Sequence, residues 1–497
     1  MKEKAKKVIS CLIFFLLLFF MFIVLQRVMT PVSTDNDNIY NFKNEKNIDV
    51  VYIGGSAAYN YWQPLKAWND FGFTSYNYST NNIQAENIKY CIKEVLRVAK
   101  SDPKLFVIGV RSFDYWDENM NELGLRGFAD YMSVFSPNRY AMIHDMLKRR
   151  TGVSQEDKLG YYIPLIKYHT RQESLHEKDS WNQVFLDTKE KFKGTSAVAN
   201  HYHLNPISPN QNKTKELPTQ AEQILRELLD FCQKEDLNVL FVTSPFYCDQ
   251  NHFMMHNRIG EIIEEHGYRY IDANNYYKEM KIDFATDFFD MSHCNLLGAE
   301  KYTNFLGDYI VNHYDLPDHR NESSYSEWDE NYQLFKQDIN DGTSKLKELI
   351  KKSNQSVEVA DKLSYIYDIN EWNNIVRENQ ITVFVSKNSE IKPLKNLSHR
   401  TIFNSWGLEK NRMNVLCNGS IVQSGNQGSL EGKAGMEKYV VDYDISNKDG
   451  KTRMVIDDNV LESADKGIFV VAMENQTKGI ADKFMLVNDH GHLAIVR

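Results

Sequence analysis

The sequence has no surplus of positive charge. Its 58 lysines and arginines face 67 aspartates and glutamates, a formal net charge of −9. The clustered basic footprint of a nucleic-acid binder is therefore missing, and no nucleic acid is expected as a partner. Cysteine is scarce, with six in 497 residues and no C-x-x-C pair, which argues against a zinc ribbon or redox motif. His201 and His203 have the i,i+2 spacing of a strand-borne metal pair, but no third ligand accompanies them, so no metal and no other cofactor is expected. Buried free thiols are the default for such cysteines. Were one disulfide to form, Cys248 with Cys294 would be the pair, since both should lie near the carboxyl ends of sheet strands. A shortage of apolar residues is not among the absences. The 42% hydrophobic and 12% aromatic content supports real cores, and the length predicts two or three domains.

One long apolar run is present. Residues 8–25 carry no charge, follow Lys2, Lys4, Lys6 and Lys7, and are closed by Arg27. Eighteen residues just suffice to span a bilayer as a helix. The positive flank should stay in the cytoplasm and place everything after Arg27 outside. A cleaved signal peptide would have a shorter apolar region and a small-x-small site, which Leu25 to Met29 does not offer. No lipobox-like cysteine ends the run. An uncleaved single-pass anchor over residues 1–30 is favoured, followed by a polar tether over 31–47.

Further along, Asp49 to Ile53 and Leu105 to Val110 read as buried strands, separated by an amphipathic helix over Ala85 to Lys100. Strand, helix, strand at this spacing predicts a βαβ unit and a parallel sheet. Residues 113–200 are rich in Tyr, Asp, Lys and Arg, with a helix expected over Pro137 to Arg150. They read as an insertion that either lids the substrate side or merely packs. The α/β pattern resumes with a helix over Gln220 to Lys234 and a strand over Val239 to Thr243. A helix over Met255 to His266, a short strand over Tyr268 to Ile271 and a closing helix over Gly298 to His313 follow. Residues 316–364 read as polar linker and helices. From about residue 365 the pattern turns to short strands, with Asn418-Gly419 and Asp449-Gly450 as hairpin turns.

Two motifs carry chemistry. Gly54-Gly55-Ser56-Ala57 follows the first strand directly, so Ser56 should project its hydroxyl at the carboxyl end of a parallel sheet, where open α/β folds place ligands. Backbone N–H groups around Gly55 and Ser56 are candidates for stabilising an oxyanion. The second motif, Asp287 to Asn295 (DFFDMSHCN), precedes the closing helix. Within it, Asp290-x-x-His293 lets the carboxylate fold back on the imidazole and leaves the other ring nitrogen to deprotonate a serine. Taken singly, the first motif is also an ordinary turn and the second a capping aspartate beside a surface histidine.

The two together resemble the SGNH/GDSL hydrolase superfamily, in which the nucleophile opens the domain and D-x-x-H closes it; the likeness covers residues 48–315. DVVYIGGSAAYNYWQPLKAWNDFGFTSYNYSTNNIQ, PLIKYHTR (Pro164 to Arg171) and DFFDMSHCNLLGAEKYTNFLGDYI are similar to blocks of the DltD-like cell-envelope group of Gram-positive bacteria. The resemblance implies Ser56 as nucleophile, His293 as general base and Asp290 as its orienter, with Gln84 and His169 lining the pocket. Departures accompany the match. Gly55 and Ala57 replace the flanks of G-S-S-H, SYNYSTNNIQ has no glycine, and Gly109-Val110-Arg111-Ser112 stands where G-x-N-D is usual. Asn81, Asn82 and Arg111 carry N–H groups that could replace the missing oxyanion donors. Residues 365–497 are similar to interleukin-like EMT-inducer-type domains, which implies a compact β-sandwich.

The expectation is thus an α/β chain: an SGNH-type parallel sheet flanked by helices, a C-terminal mainly β domain and an N-terminal transmembrane helix. The resemblance implies an extracytoplasmic serine esterase or O-acyltransferase. It would act on acyl esters of a cell-envelope glycan or other acylated carbohydrate, with a membrane O-acyltransferase as a protein partner. The alternative is a catalytically weak or inactive SGNH-like binding protein of envelope polysaccharide assembly.

Overall fold

In a computed structural model the described residues are 2–31, 37–119, 122–151, 153–185, 191–204, 207–208, 213–379, 381–426, 428–436, 439–457, 459–463, 466–475 and 478–497. They form two compact units, Met1–Leu346 and Lys347–Arg497.

The first unit opens with a helix over Lys2–Met29, long and apolar enough to cross a membrane. Behind it lies a five-stranded, all-parallel sheet of order β2-β1-β3-β4-β5. Its strands are β1 (Val50–Gly54), β2 (Ser75–Ser79), β3 (Leu105–Gly109), β4 (Val239–Thr243) and β5 (Arg269–Asp272). Both faces are covered by helices, which is why β1, β3 and β4 read as continuous apolar runs. On one face Val51, Ile53, Phe106, Ile108 and Phe241 pack beneath the helices Ile88–Val98 and Thr219–Lys234. On the other, Val50, Tyr52, Val107, Leu240 and Val242 pack beneath Leu296–His313. The strand order reverses between β1 and β3, and this switch point opens a crevice at their carboxyl ends.

Three features differ from the expectation. β2 reads SYNYS, not an apolar run, yet is fully buried, with two of its polar side chains tied to Trp62: Ser75 Oγ accepts from Trp62 Nε1 at 3.0 Å, and Asn77 Nδ2 donates to the Trp62 carbonyl at 2.9 Å. The segment read as a tether packs from Asp37 onward, with Phe42 buried edge-on against Tyr76 and Tyr78. The insertion is a packing element: its helices at Glu122–Ala129 and Pro137–Arg149 bury Phe128, Met142 and Met146 in the sheet's core. Ser136 caps the second of these helices, accepting from Arg139 N, and Pro137 occupies its first position.

All six cysteines are free. Cys248 and Cys294, the pair favoured for a disulfide if one formed, are not bridged. Each thiol faces its own polar neighbour, His256 Nδ1 and the Pro245 carbonyl respectively, both at 4.0 Å.

The second unit has two antiparallel sheets, of order β12-β11-β10-β9 and β15-β14-β13-β6-β7-β8. The smaller contains β9 (Ser429–Met436), β10 (Tyr439–Lys448), β11 (Lys451–Ile456) and β12 (Asn459–Glu462). The larger contains β6 (Ile381–Lys387), β7 (Met413–Cys417), β8 (Ser420–Gly425), β13 (Ile468–Glu474), β14 (Ile480–Asp489) and β15 (His492–Val496). Phe384, Val415 and Val471 of the larger sheet meet Val441, Tyr443 and Met454 of the smaller in one core. The larger sheet's other face packs on Trp372 and Trp406. Both expected hairpin turns are present, with Asn418, Gly419, Asp449 and Gly450 all at positive φ.

Candidate active site

β1 ends at Gly54, Gly55 stays extended (φ −84°, ψ −159°), and a short helix begins at Ser56. A side chain at Gly54 would bring its Cβ to 2.9 Å from that of Ala58, so only glycine lets the helix start this close to the strand. The turn aims Ser56 into a cleft of about 480 Å³ at the sheet's switch point. Gly109, at the end of β3, forms part of the floor.

The partner loop is built independently. Asn295 caps the helix Leu296–His313, its Oδ1 accepting from Leu297 N, while its Nδ2 donates to the Thr286 and Phe288 carbonyls. Asp287, fully buried, accepts from Lys301 Nζ at 2.6 Å and from Asp283 N at 2.7 Å. These ties close residues 287–295 into a tight turn, with Phe289 N bonded to the His293 carbonyl. His293 therefore emerges at the mouth of the cleft, its ring stacked on Phe289 and edge-on to Tyr61.

The two motifs meet there. Ser56 Oγ lies 2.6 Å from His293 Nε2, and His293 Nδ1 lies 3.0 Å from both carboxylate oxygens of Asp290. With Nδ1–H donating to Asp290, the Nε2 lone pair faces the serine hydroxyl, the arrangement that lets an imidazole take a serine proton. Partial burial works to raise the Asp290 carboxyl. The hydrogen bonds from His293 and from Ser292 N, with the nearby imidazole charge, nevertheless hold it below the ordinary aspartate value. Asp290 is 47% exposed and His293 19% exposed, so the carboxylate end of the relay is the wetter one.

The other sequence candidates divide. Gly55, Asn81 and Arg111 line the cleft. Asn81 accepts from the Tyr59 hydroxyl through Oδ1, which turns its Nδ2 donors away from that bond. Arg111 donates to the Ser292 carbonyl at 2.9 Å and lies 3.7 Å over the Phe246 ring. It clamps the loop that carries His293, a role Tyr61 shares by donating to the same carbonyl at 2.9 Å. Gln84 and His169 do not reach the cleft. Gln84 is buried behind the 81–84 loop, accepting from Arg150 and donating to the Asn82 carbonyl. His169 is exposed beside the insertion's short helix Pro164–Tyr168, its Nδ1 bonded to the Ile166 carbonyl. Both make structural hydrogen bonds here. His201 likewise bonds the Ala285 carbonyl through Nε2.

Further residues that line the cleft include Tyr52, Tyr115, Ser244 and Ser292. Ser292 was legible only as the residue before His293, and Ser244 as the residue that ends β4. Comparison with known proteins found no family model and no curated sequence that matches this chain.

Proposed function

We propose that the chain is an SGNH-type serine hydrolase or acyltransferase, anchored by its N-terminal helix with both units outside the cytoplasm. The observation that carries this reading is the Ser56–His293–Asp290 relay, with contacts of 2.6 and 3.0 Å at the carboxyl end of a parallel sheet. Ser56 Oγ attacks the carbonyl carbon of an acyl ester while His293 Nε2 takes its proton. Asp290 stabilises the imidazolium. The Ser56 backbone N–H, unpaired in the first helical turn, and Asn81 Nδ2 supply the donors for the developing oxyanion. His293 then returns the proton to the leaving alkoxide, giving an acyl-enzyme and a free alcohol. Water completes hydrolysis; a sugar hydroxyl completes acyl transfer.

The cleft's size suits a small acyl group on a sugar, and polar side chains line it, among them Asn81, Asn82, Ser112, Ser244 and Ser292. The family resemblance and the extracytoplasmic placement point to acetyl or similar esters of cell-envelope glycans. Purified full-length protein should hydrolyse an activated acetyl ester and release acetate from O-acetylated envelope glycan, and Ser56→Ala should do neither. Wild-type turnover equal to that of Ser56→Ala would move the reading to a non-catalytic envelope-binding protein.

A further inference from the structure

A second cavity, of about 600 Å³, lies far from Ser56, where the N-terminal helix enters the fold. The large apolar side chains from Val8 to Met21 of that helix are exposed, whereas Val28, Met29 and Thr30 are buried. The exit of the helix is tied down by polar contacts: Arg171 donates to the Met29 carbonyl at 2.9 Å and Tyr131 to the Pro31 carbonyl at 2.7 Å. The helix is thus part of the fold at its outer end.

Depth can be assigned by counting. A hydrocarbon core of about 30 Å takes about 20 helical residues, so a span that starts at Val8 leaves the apolar layer near Arg27. Phe20, Ile23 and Val24, which wall the cavity, then lie within the hydrocarbon. Phe135, 66% exposed on a loop of the first unit, has its ring 6.3 Å from that of Phe19, and so sits at the same depth. Three cations, Arg27, Lys43 and Arg97, also line the cavity. The Arg27 guanidinium lies 4.5 Å over the Tyr40 ring, with Lys43 Nζ 3.9 Å from the same ring. Two carboxylates also line the cavity. Glu94 is bonded to Arg97 at 2.5 Å and to Ser136. Asp130 accepts from Tyr168 at 2.6 Å, and burial raises its pKa above the ordinary carboxylate value.

We infer that this cavity binds an anionic phospholipid of the outer leaflet. One acyl chain lies along Phe20, Ile23 and Val24, and the phosphate sits near Arg27 and Lys43, at headgroup depth. With Glu94 paired to Arg97, Arg27 and Lys43 beside Tyr40 are the cations that meet the phosphate, near the level where the count of helical residues puts the edge of the hydrocarbon, and that match selects a membrane lipid over a soluble anion. The inference rests on the anchored reading of the helix and is independent of the chemistry at Ser56.

The test uses full-length protein reconstituted in nanodiscs of phosphatidylglycerol or of phosphatidylcholine and released for native mass spectrometry. Intact mass first establishes that the N-terminal helix is present; its loss would refute the anchor rather than the lipid site. The result expected is one phosphatidylglycerol retained per chain, at least tenfold over phosphatidylcholine. Val24→Trp, which fills the apolar end, and Lys43→Glu, which reverses charge, should each cut retention at least tenfold with an unchanged melting temperature. Retention of no lipid by the full-length chain, equal retention of both lipids, or variants that retain phosphatidylglycerol like wild type would overturn the inference.

Discussion

Asp290→Asn is the substitution whose effect is most constrained by the geometry. The carboxylate faces His293 Nδ1 at 3.0 Å. A unit charge at that distance stabilises an imidazolium by about 5.5 kcal/mol at an effective dielectric of 20 and by about 1.4 kcal/mol in water. Asp290 is 47% exposed, so the true value falls between these limits. Asparagine keeps an acceptor at the Oδ1 position, where Ser292 N donates at 2.6 Å, so the turn should hold its shape, while the charge is lost and the Oδ2 position, 3.0 Å from His293 Nδ1, becomes an N–H donor that disfavours the Nδ1–H tautomer. At about 1.4 kcal/mol per factor of ten, kcat on an activated acetyl ester should fall roughly 10²-fold. That is the part owed to charge; the change of tautomer adds to it, up to the roughly 10⁴-fold loss known for a buried triad aspartate. The assay is steady-state hydrolysis by full-length protein at saturating ester, paired with a thermal melt to establish folding. A folded variant within twofold of wild type would refute the assignment of Asp290 as the partner of His293.

Other consequences are equally specific. Asn81→Ala removes a side-chain oxyanion donor and should lower kcat by about 10²–10³ with little change in KM; a fall in binding alone would place Asn81 outside the transition state. Gly54→Ala drives a Cβ to 2.9 Å from Ala58 and shifts the turn that aims Ser56. Activity should drop about 10²-fold for a stability loss of about 1–3 kcal/mol in urea unfolding. Buried His256 gives a pH dependence unrelated to catalysis. Burial works to strip its proton, but Asp272 at 3.2 Å and Asp114 at 2.7 Å hold its pKa well above the ordinary histidine value, with the Cys248 thiol, itself pushed up to about 11 by burial, 4.0 Å away. A raised folded pKa contributes stability fully below about pH 6.5 and loses it as pH rises through the folded value. Urea midpoints should therefore decline on the alkaline side for wild type and be flatter for His256→Gln, which at pH 6 should be about 3–5 kcal/mol less stable.

How much was legible in the sequence depended on whether the signal was local. β1, β3 and β4 announce themselves as apolar runs because helices cover both faces of the sheet. Ser56 and Asp290-x-x-His293 were readable because each motif carries its own geometry, a strand end and a turn before a helix cap. β2 was not, because Ser75 and Asn77 are buried through bonds to Trp62, which is distant from Asn77 in sequence and cannot be inferred from a period of two. Gln84 failed for a related reason: Arg150, 66 residues away, takes its amide oxygen. Arg111 was found as a donor but is used on Ser292 and Phe246, partners that only the fold brings together. The packing of residues 37–48 escaped notice because a polar composition hides the single buried ring of Phe42.

The hydrolase reading turns on the proposed activation of Ser56 by His293. Its most direct measurement is labelling of the full-length protein with a fluorophosphonate, followed by peptide mass mapping. One phosphonyl group is expected, on Ser56, absent from Ser56→Ala and strongly slowed in His293→Ala. Labelling of another serine, or none on the folded wild type, would contradict it.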